Sequence, residues 1–243
     1  MDRPLLHSAG SRLLQSPSEW ERRNSYLSQT LADLADHYLN RATGRGLDIG
    51  CDDGSMADVI HARTELKMWG VDPRVGSEIK PYSQLGAVLV EGRAESLPFP
   101  DSHFDLALLA NVYEHIPPDL RMTSLGEINR VLTKGGILMG QLPNPRFPIE
   151  QHSRLPFMGY LPAVVREKYW RLSPVTWKSR FWYPVTMKEF KRTAESAGFE
   201  TVLIRKFTYP ADVIPSSIRW LARLLENPIR AMSYAWQFVF RKN

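Results

Sequence analysis

A chain of 243 residues, 43% hydrophobic and 23% charged, is large enough to close one well-buried core and has the composition of a globular domain. Its net charge of +5 suits an anionic partner or surface, but no aromatic-interleaved RNA-binding signature and no zinc-ligand series accompanies it, so neither nucleic acid nor a metal is expected. The single cysteine excludes an intramolecular disulfide. Without an apolar signal core or an apolar window of about twenty residues, a reducing cytoplasm is the expected location.

Residues 1–44 read as an N-terminal helical extension. Ser18 is placed to cap a helix whose Trp20, Tyr26, Leu27, Leu31, Leu34 and Tyr38 recur near the helical period. Such a stripe either packs on a sheet, the preferred reading, or closes over a ligand and brings Arg23 or Tyr26 near its carboxylate.

The segment Leu47-Asp48-Ile49-Gly50-Cys51-Asp52-Asp53-Gly54 is an apolar stub ending in an acid, followed by two glycines and a helix-like run from Ser55. Glycine permits a sharp turn and close approach of a ligand to the backbone, and a helix start offers free N–H groups. Cys51 reads as a small residue packed behind this loop. Trp69-Gly70-Val71-Asp72-Pro73 is a second short strand ending in an acid, 24 residues after Asp48, about the spacing at which an acid meets a ribose diol. Strands are expected near 46–49, 68–72, 87–91, 104–110 and 136–142, and helices near 55–62 and 119–133. Asp119 is placed to cap the latter helix, Leu125, Ile128, Val131 and Leu132 form its buried face, and Lys134-Gly135-Gly136 is expected to end it. Alternation of strand and helix implies a parallel sheet covered on both faces, with ligands at the carboxyl ends of its strands.

After these strands come Glu91-Gly92-Arg93-Ala94-Glu95-Ser96-Leu97-Pro98-Phe99-Pro100-Asp101, then Glu114-His115-Ile116, then Glu127 through Gly136. This ordered series resembles the class I S-adenosylmethionine-dependent methyltransferases, and most closely the subgroup with the ubiquinone/menaquinone-type and small-molecule enzymes. The resemblance covers residues 45–145 strongly and continues at 186–204 through Glu189-Phe190 and Ala197-Gly198-Phe199. It implies a doubly wound Rossmann-like α/β fold, a mostly parallel seven-stranded sheet with an antiparallel last strand, a methyltransferase domain over 45–243, and S-adenosylmethionine as cofactor. By the same resemblance Asp48, Gly50 and Gly54 form the cofactor loop and Asp72 accepts from the ribose hydroxyls. Ala94 and Glu95 lie at the adenine edge, and Asn111 lines the methionine moiety. Two positions depart from the family: Asp52 stands in the cofactor loop where glycine is usual, and Arg93 where an acid is common.

Residues 143–185 break the pattern. Prolines alternate with aromatic and basic residues over a stretch longer than ordinary loops, which reads as an acceptor-substrate cap in preference to a structural wrap. Residues 215–226 read as a helix with Ile218, Leu221, Leu224 and Leu225 on one side, and 236–240 as a strand pairing antiparallel with 200–205.

Methyl transfer from a sulfonium needs alignment and exclusion of water more than catalytic side chains. His115 is nonetheless a candidate general base for a hydroxyl, the other reading being structural, and His152 in Glu150-Gln151-His152 is a second candidate. The Glu-x-His pair alone lacks the remainder of a metal site. The segment 150–162 also looks similar to methyltransferases of bacterial surface-glycan and lipid-linked sugar pathways. The expectation is therefore O-methylation of a small-molecule, sugar or lipid-linked glycan acceptor. The alternatives are C-methylation of a quinone or lipid ring and a non-catalytic cofactor-binding subunit or regulator. The aromatic cap and the 218–225 helix give a further option, peripheral contact with an anionic membrane at its inner face.

Overall fold

The computed structural model describes residues 17–39, 44–78, 86–173, 182–210 and 233–243, with side chains from 21 onward in the first helix. The expected helix over 215–226 lies outside these residues, as does the side chain of Ser18. The chain order is α1 (Pro17–Tyr38), β1 (Arg45–Ile49), α2 (Ser55–Thr64), β2 (Lys67–Asp72), β3 (Val88–Glu91), β4 (Phe104–Ala110), α3 (Arg121–Val131), β5 (Leu132–Pro143), α4 (Ala163–Trp170), α5 (Met187–Ser196), β6 (Phe199–Phe207) and β7 (Ala235–Lys242).

The strands form one seven-stranded sheet in the order β3-β2-β1-β4-β5-β7-β6. β1 to β5 are mutually parallel, and β7 runs antiparallel between β5 and β6, with Gln141 opposite Gln237 and Ile204 opposite Phe238. This is the doubly wound sheet expected above. The strand order reverses between β1 and β4, so a crevice opens at their carboxyl ends, and both the glycine loop and the turn after β4 leave from there.

Two apolar layers cover the sheet because successive strand residues point to opposite faces. On one face Leu125, Ile128 and Val131 of α3 and Phe190 and Ala194 of α5 pack on Ala107, Leu109, Leu138 and Phe238. On the other, Leu27, Leu31 and Ala35 of α1 and Ala57 and Ile60 of α2 pack on Leu106, Leu108, Met139 and Val239. From Leu27 to Ala35 the α1 stripe is thus a core face. Truncating the fully buried Leu31 to alanine would cost about 2–5 kcal/mol, the usual range for such cavities.

Both ends of α3 depart from the sequence reading. The N-cap position of α3 is Leu120, not Asp119, and no side chain caps it. The helix stops at Val131 and passes directly into β5 at Leu132, so Gly135, at φ +74°, lies within the strand and does not end the helix. The register of β5 against β4 shifts between Phe104 and Leu106, which absorbs the extra residues. By contrast α5 starts in a full capping box, with Thr186 and Glu189 bonding each other's backbone N–H.

Candidate active site

The glycine loop is stapled to the end of β2. Gly50 N–H donates to the Val71 carbonyl at 2.7 Å, and Asp52 N–H reaches the Asp72 carboxylate at 3.4 Å. Gly50 and Gly54 take φ +72° and +86°, left-handed conformations natural to glycine. A Cβ on Gly50 would also lie 2.5 Å from Val112 Cγ2, so the loop abuts the turn that follows β4. Asp52 occupies the same left-handed region at φ +49°, and its carboxylate lies 3.5 Å from Arg74. Cys51 is buried, and burial pushes its thiol well above the usual range, so it stays protonated.

The loop gathers acids. Asp48 and Asp72 are each 3% exposed. Burial, followed by the charges of Asp72, Asp52 and Asp53, raises Asp48 to about 7. Its Oδ2 makes no hydrogen bond among the described residues. Asp72 is engaged by Arg74, which donates from Nε to Oδ1 and from Nη2 to Oδ2, both at 3.0 Å. The sequence reading missed Arg74, which occupies both carboxylate oxygens of the acid that the resemblance assigns to the ribose.

The next loop is equally well held. Arg130 donates to the carbonyls of Leu97 and Phe99 and pairs with Glu127 and Asp101, while Glu127 accepts from Leu97 N–H. This hub ties the segment Arg93–Asp101 to α3 and so fixes Ala94, which is buried, and Glu95, whose carboxylate lies 3.7 Å from Arg93. Arg93 therefore pairs locally. Asn111, at φ +57°, closes β4; its side-chain carbonyl accepts from Gln141 Nε2 at 3.1 Å. Arg23 lies over the Tyr209 ring and bonds the Tyr234 hydroxyl, and Tyr26 packs on Phe207 and Tyr209.

The turn after β4 and the cap converge. Glu114, 2% exposed, lies in a 3-10 turn at Tyr113–His115. Its carbonyl accepts from Tyr183 N–H at 2.8 Å, and Arg121 donates to the Tyr183 carbonyl, so the far end of the cap is anchored here. His152 comes down from the cap to the same place. Its ring stands perpendicular to that of His115 with centroids 4.9 Å apart, and its Nε2 is 3.9 Å from Glu114 Oε1. Behind it, His152 Nδ1 meets Glu150 Oε1 at 2.6 Å. Burial alone would raise the Glu150 carboxyl, but the bonds and charge of His152 and the N–H of Ser153 outweigh it and hold the group at about 2. Burial raises Glu114 instead, to about 7. The two histidines considered separately in the sequence thus share one cluster. Glu114, His115 and His152 each offer a ligand atom within 4.8 Å of the others; of the Glu-x-His pair, His152 belongs to this group and Glu150 stands behind it.

A buried, unsatisfied acid, two left-handed glycines and a second acid at the switch point fit a cationic, ribose-bearing ligand. They belong to a Rossmann-like domain in which a polar cluster lies between the turn after β4 and residue His152. A family profile described as a methyltransferase domain matches residues 20–204, and the chain belongs to that family, within the class I S-adenosylmethionine-dependent methyltransferases. S-adenosylmethionine is accordingly the cofactor. The demethylmenaquinone methyltransferase of Staphylococcus aureus strain JH9 is 34% identical over 142 residues, 55% of this chain and 56% of that protein. The chain thus spans just over half the length of the curated relatives it matches. An S-adenosylmethionine-dependent methyltransferase from Mesorhizobium loti superposes with TM-score 0.60 at 16% identity over 86% of this chain and 96% of that one. A Pyrococcus horikoshii protein does so with TM-score 0.61 at 16% identity over 94% and 93%. At such identity the likeness concerns the fold.

Proposed function

We propose that the chain transfers a methyl group from S-adenosylmethionine to a hydroxyl of a small-molecule acceptor, a sugar or lipid-linked glycan being the preferred class. The observation that carries this reading is the Glu150–His152 pair set against Glu114 and His115 beside the cofactor loop. A hydroxyl is a poor nucleophile until its proton is drawn off, and a carboxylate-oriented imidazole is the usual group for that. When bound, S-adenosylmethionine would supply an electrophilic methyl on a positively charged sulfur, which would keep the C–S electron pair as the acceptor oxygen took the carbon. On this reading Asp72 and Asp48 orient the cofactor. Val112 links the loop to the Glu114 turn, where the hydroxyl proton leaves toward the cluster. The cap, anchored through Tyr183 and Arg121, excludes water.

His152→Ala should lower turnover on hydroxyl acceptors by about 10²-fold with cofactor affinity intact. Unchanged turnover would sink the reading. The named activity of the Staphylococcus aureus relative favours a second one, C-methylation of a quinone or lipid ring, for which the same variant should be nearly silent.

The lipid-linked form of the acceptor is supported by the outer surface of the cap. Val164 and Leu172 are 71% and 70% exposed, and Phe157, Tyr160, Lys168 and Arg171 of the same segment are exposed as well. Apolar and basic side chains together suit an anionic lipid surface. Among the described residues no helix is long and apolar enough to cross a membrane, so such contact would be peripheral. Flotation with anionic but not neutral vesicles, weakened by salt, is the expected result; flotation with neither would remove the membrane from the account.

A further inference from the structure

Glu114, in the turn after β4, is the least satisfied acid of the cluster. Neither of its carboxylate oxygens makes a hydrogen bond among the described residues, although the residue is 2% exposed. A carboxylate taken out of water without partners is strongly disfavoured, and such a group either takes a proton or meets a cation. The groups it faces are two imidazoles. One nitrogen of His115, one of His152 and one oxygen of Glu114 all lie within 4.8 Å of one another. The perpendicular arrangement of the two rings lets them converge on one point instead of stacking.

The His152 ring is also prepared from behind. Glu150 Oε1 meets Nδ1 at 2.6 Å. Glu150 is held in turn by the backbone N–H groups of His152, at 2.9 and 3.0 Å, and of Ser153. A carboxylate on one ring nitrogen fixes the tautomer that presents the other as a lone pair, the arrangement that supports metal-ligating histidines. Nothing in sheet packing requires it.

We infer that Glu114, His115 and His152 bind one divalent first-row cation of the zinc, iron or manganese type, with Glu150 as the positioning residue for His152. Two imidazoles and one carboxylate suit these ions better than magnesium or calcium, which favour oxygen alone. Metal–ligand bonds of about 2.0–2.2 Å place ligand atoms about 3–4 Å apart, so the side chains draw in by roughly 1 Å on binding. Glu114 and His115 belong to the turn after β4 and His152 to the cap, so the cation pins cap to sheet. The inference rests on the hydroxyl-acceptor reading for its consequence and changes the part His152 plays in it: with both ring nitrogens engaged His152 is a ligand and not the base, and the cation beside the hydroxyl weakens its hold on the proton by charge, so that the proton is released to solvent.

The test is titration of chelator-treated, full-length protein with Co²⁺ and with Zn²⁺, followed by calorimetry and, for Co²⁺, by visible d–d absorption. S-adenosylmethionine binding and near-ultraviolet circular dichroism report the fold. One equivalent per chain is expected, with binding lost in His152→Ala and in the isosteric Glu114→Gln, and weakened about 10–100-fold in Glu150→Gln. Absence of Co²⁺ and Zn²⁺ binding in wild-type protein that still binds cofactor overturns the inference and leaves the methyltransferase reading intact. Binding that survives both His152→Ala and Glu114→Gln overturns it as well. Metal bound as expected, but no methyl transfer to any hydroxyl acceptor, would overturn the proposed acceptor class and leave the metal site standing.

Discussion

Replacing Asp48 with asparagine should stabilise the cofactor-free protein, and increasingly so as pH rises. Asp48 is buried at the end of β1 between Gly70 of β2 and Leu108 of β4, and its pKa is raised from 3.8 to about 7, by burial first and then by Asp72, Asp52 and Asp53. The sign follows from proton counting. Between those two values the folded chain holds a proton that the unfolded chain has released, so stability falls as pH rises through the window and levels off above pH 7. A shift of this size corresponds to a penalty on the order of 4 kcal/mol at high pH. Asparagine keeps the shape and removes the titration. Urea denaturation at pH 5 and pH 8 would measure it: the advantage of Asp48→Asn over wild type should be about 2–3 kcal/mol larger at pH 8. An equal advantage at both, or none, would refute the argument that this acid is kept at the site against stability. A cationic cofactor at the loop should also draw the proton off, so cofactor binding near pH 6 should release protons, visible as a buffer-dependent binding enthalpy.

Two further substitutions probe the same cradle. Asp72→Ala should weaken cofactor binding about tenfold, from loss of bonds worth roughly 1.5–3 kcal/mol, with the effect at the lower end because Arg74 already occupies both carboxylate oxygens and is released by the change; unchanged affinity in a titration would remove Asp72 from the ribose site. Asp52→Gly should raise stability by about 1 kcal/mol, since glycine accepts the φ of +49° without strain, and should bind cofactor at least as tightly; a large loss of affinity would show that the Asp52–Arg74 pair itself holds the cofactor.

The sheet was legible because both of its faces are covered: Phe104–Ala110 and Ile137–Leu142 are mostly apolar runs, interrupted by Asp105 and Gln141, of the length and composition of buried strands, and the acids Asp48 and Asp72 mark their neighbours' carboxyl ends. The end of α3 was not legible. Gly135 resembles a helix stop, yet the helix terminates four residues earlier because Leu132 pairs with Phe104 and begins the strand. The cluster was half legible: Glu114-His115 and Glu150-Gln151-His152 each stood out, but nothing in local spacing announces that the cap folds His152 back onto the β4 turn. The Tyr183–Glu114 backbone bond and the contacts of His152 with Glu114 and His115 do that, and all of them are tertiary. Arg74 escaped for a similar reason, since a basic residue two positions after an acid is ordinary on a surface and matters here only because Asp72 is buried.

The central claim is tested most directly by incubating the protein with S-adenosylmethionine carrying a ¹³C-methyl group and extracts containing glycan and lipid acceptors, then identifying the labelled bond by NMR in wild type and His152→Ala. The account predicts a labelled O–CH₃ product formed by the wild type and reduced about 10²-fold in the variant. A labelled C–CH₃ product, formed equally by both proteins, would contradict it.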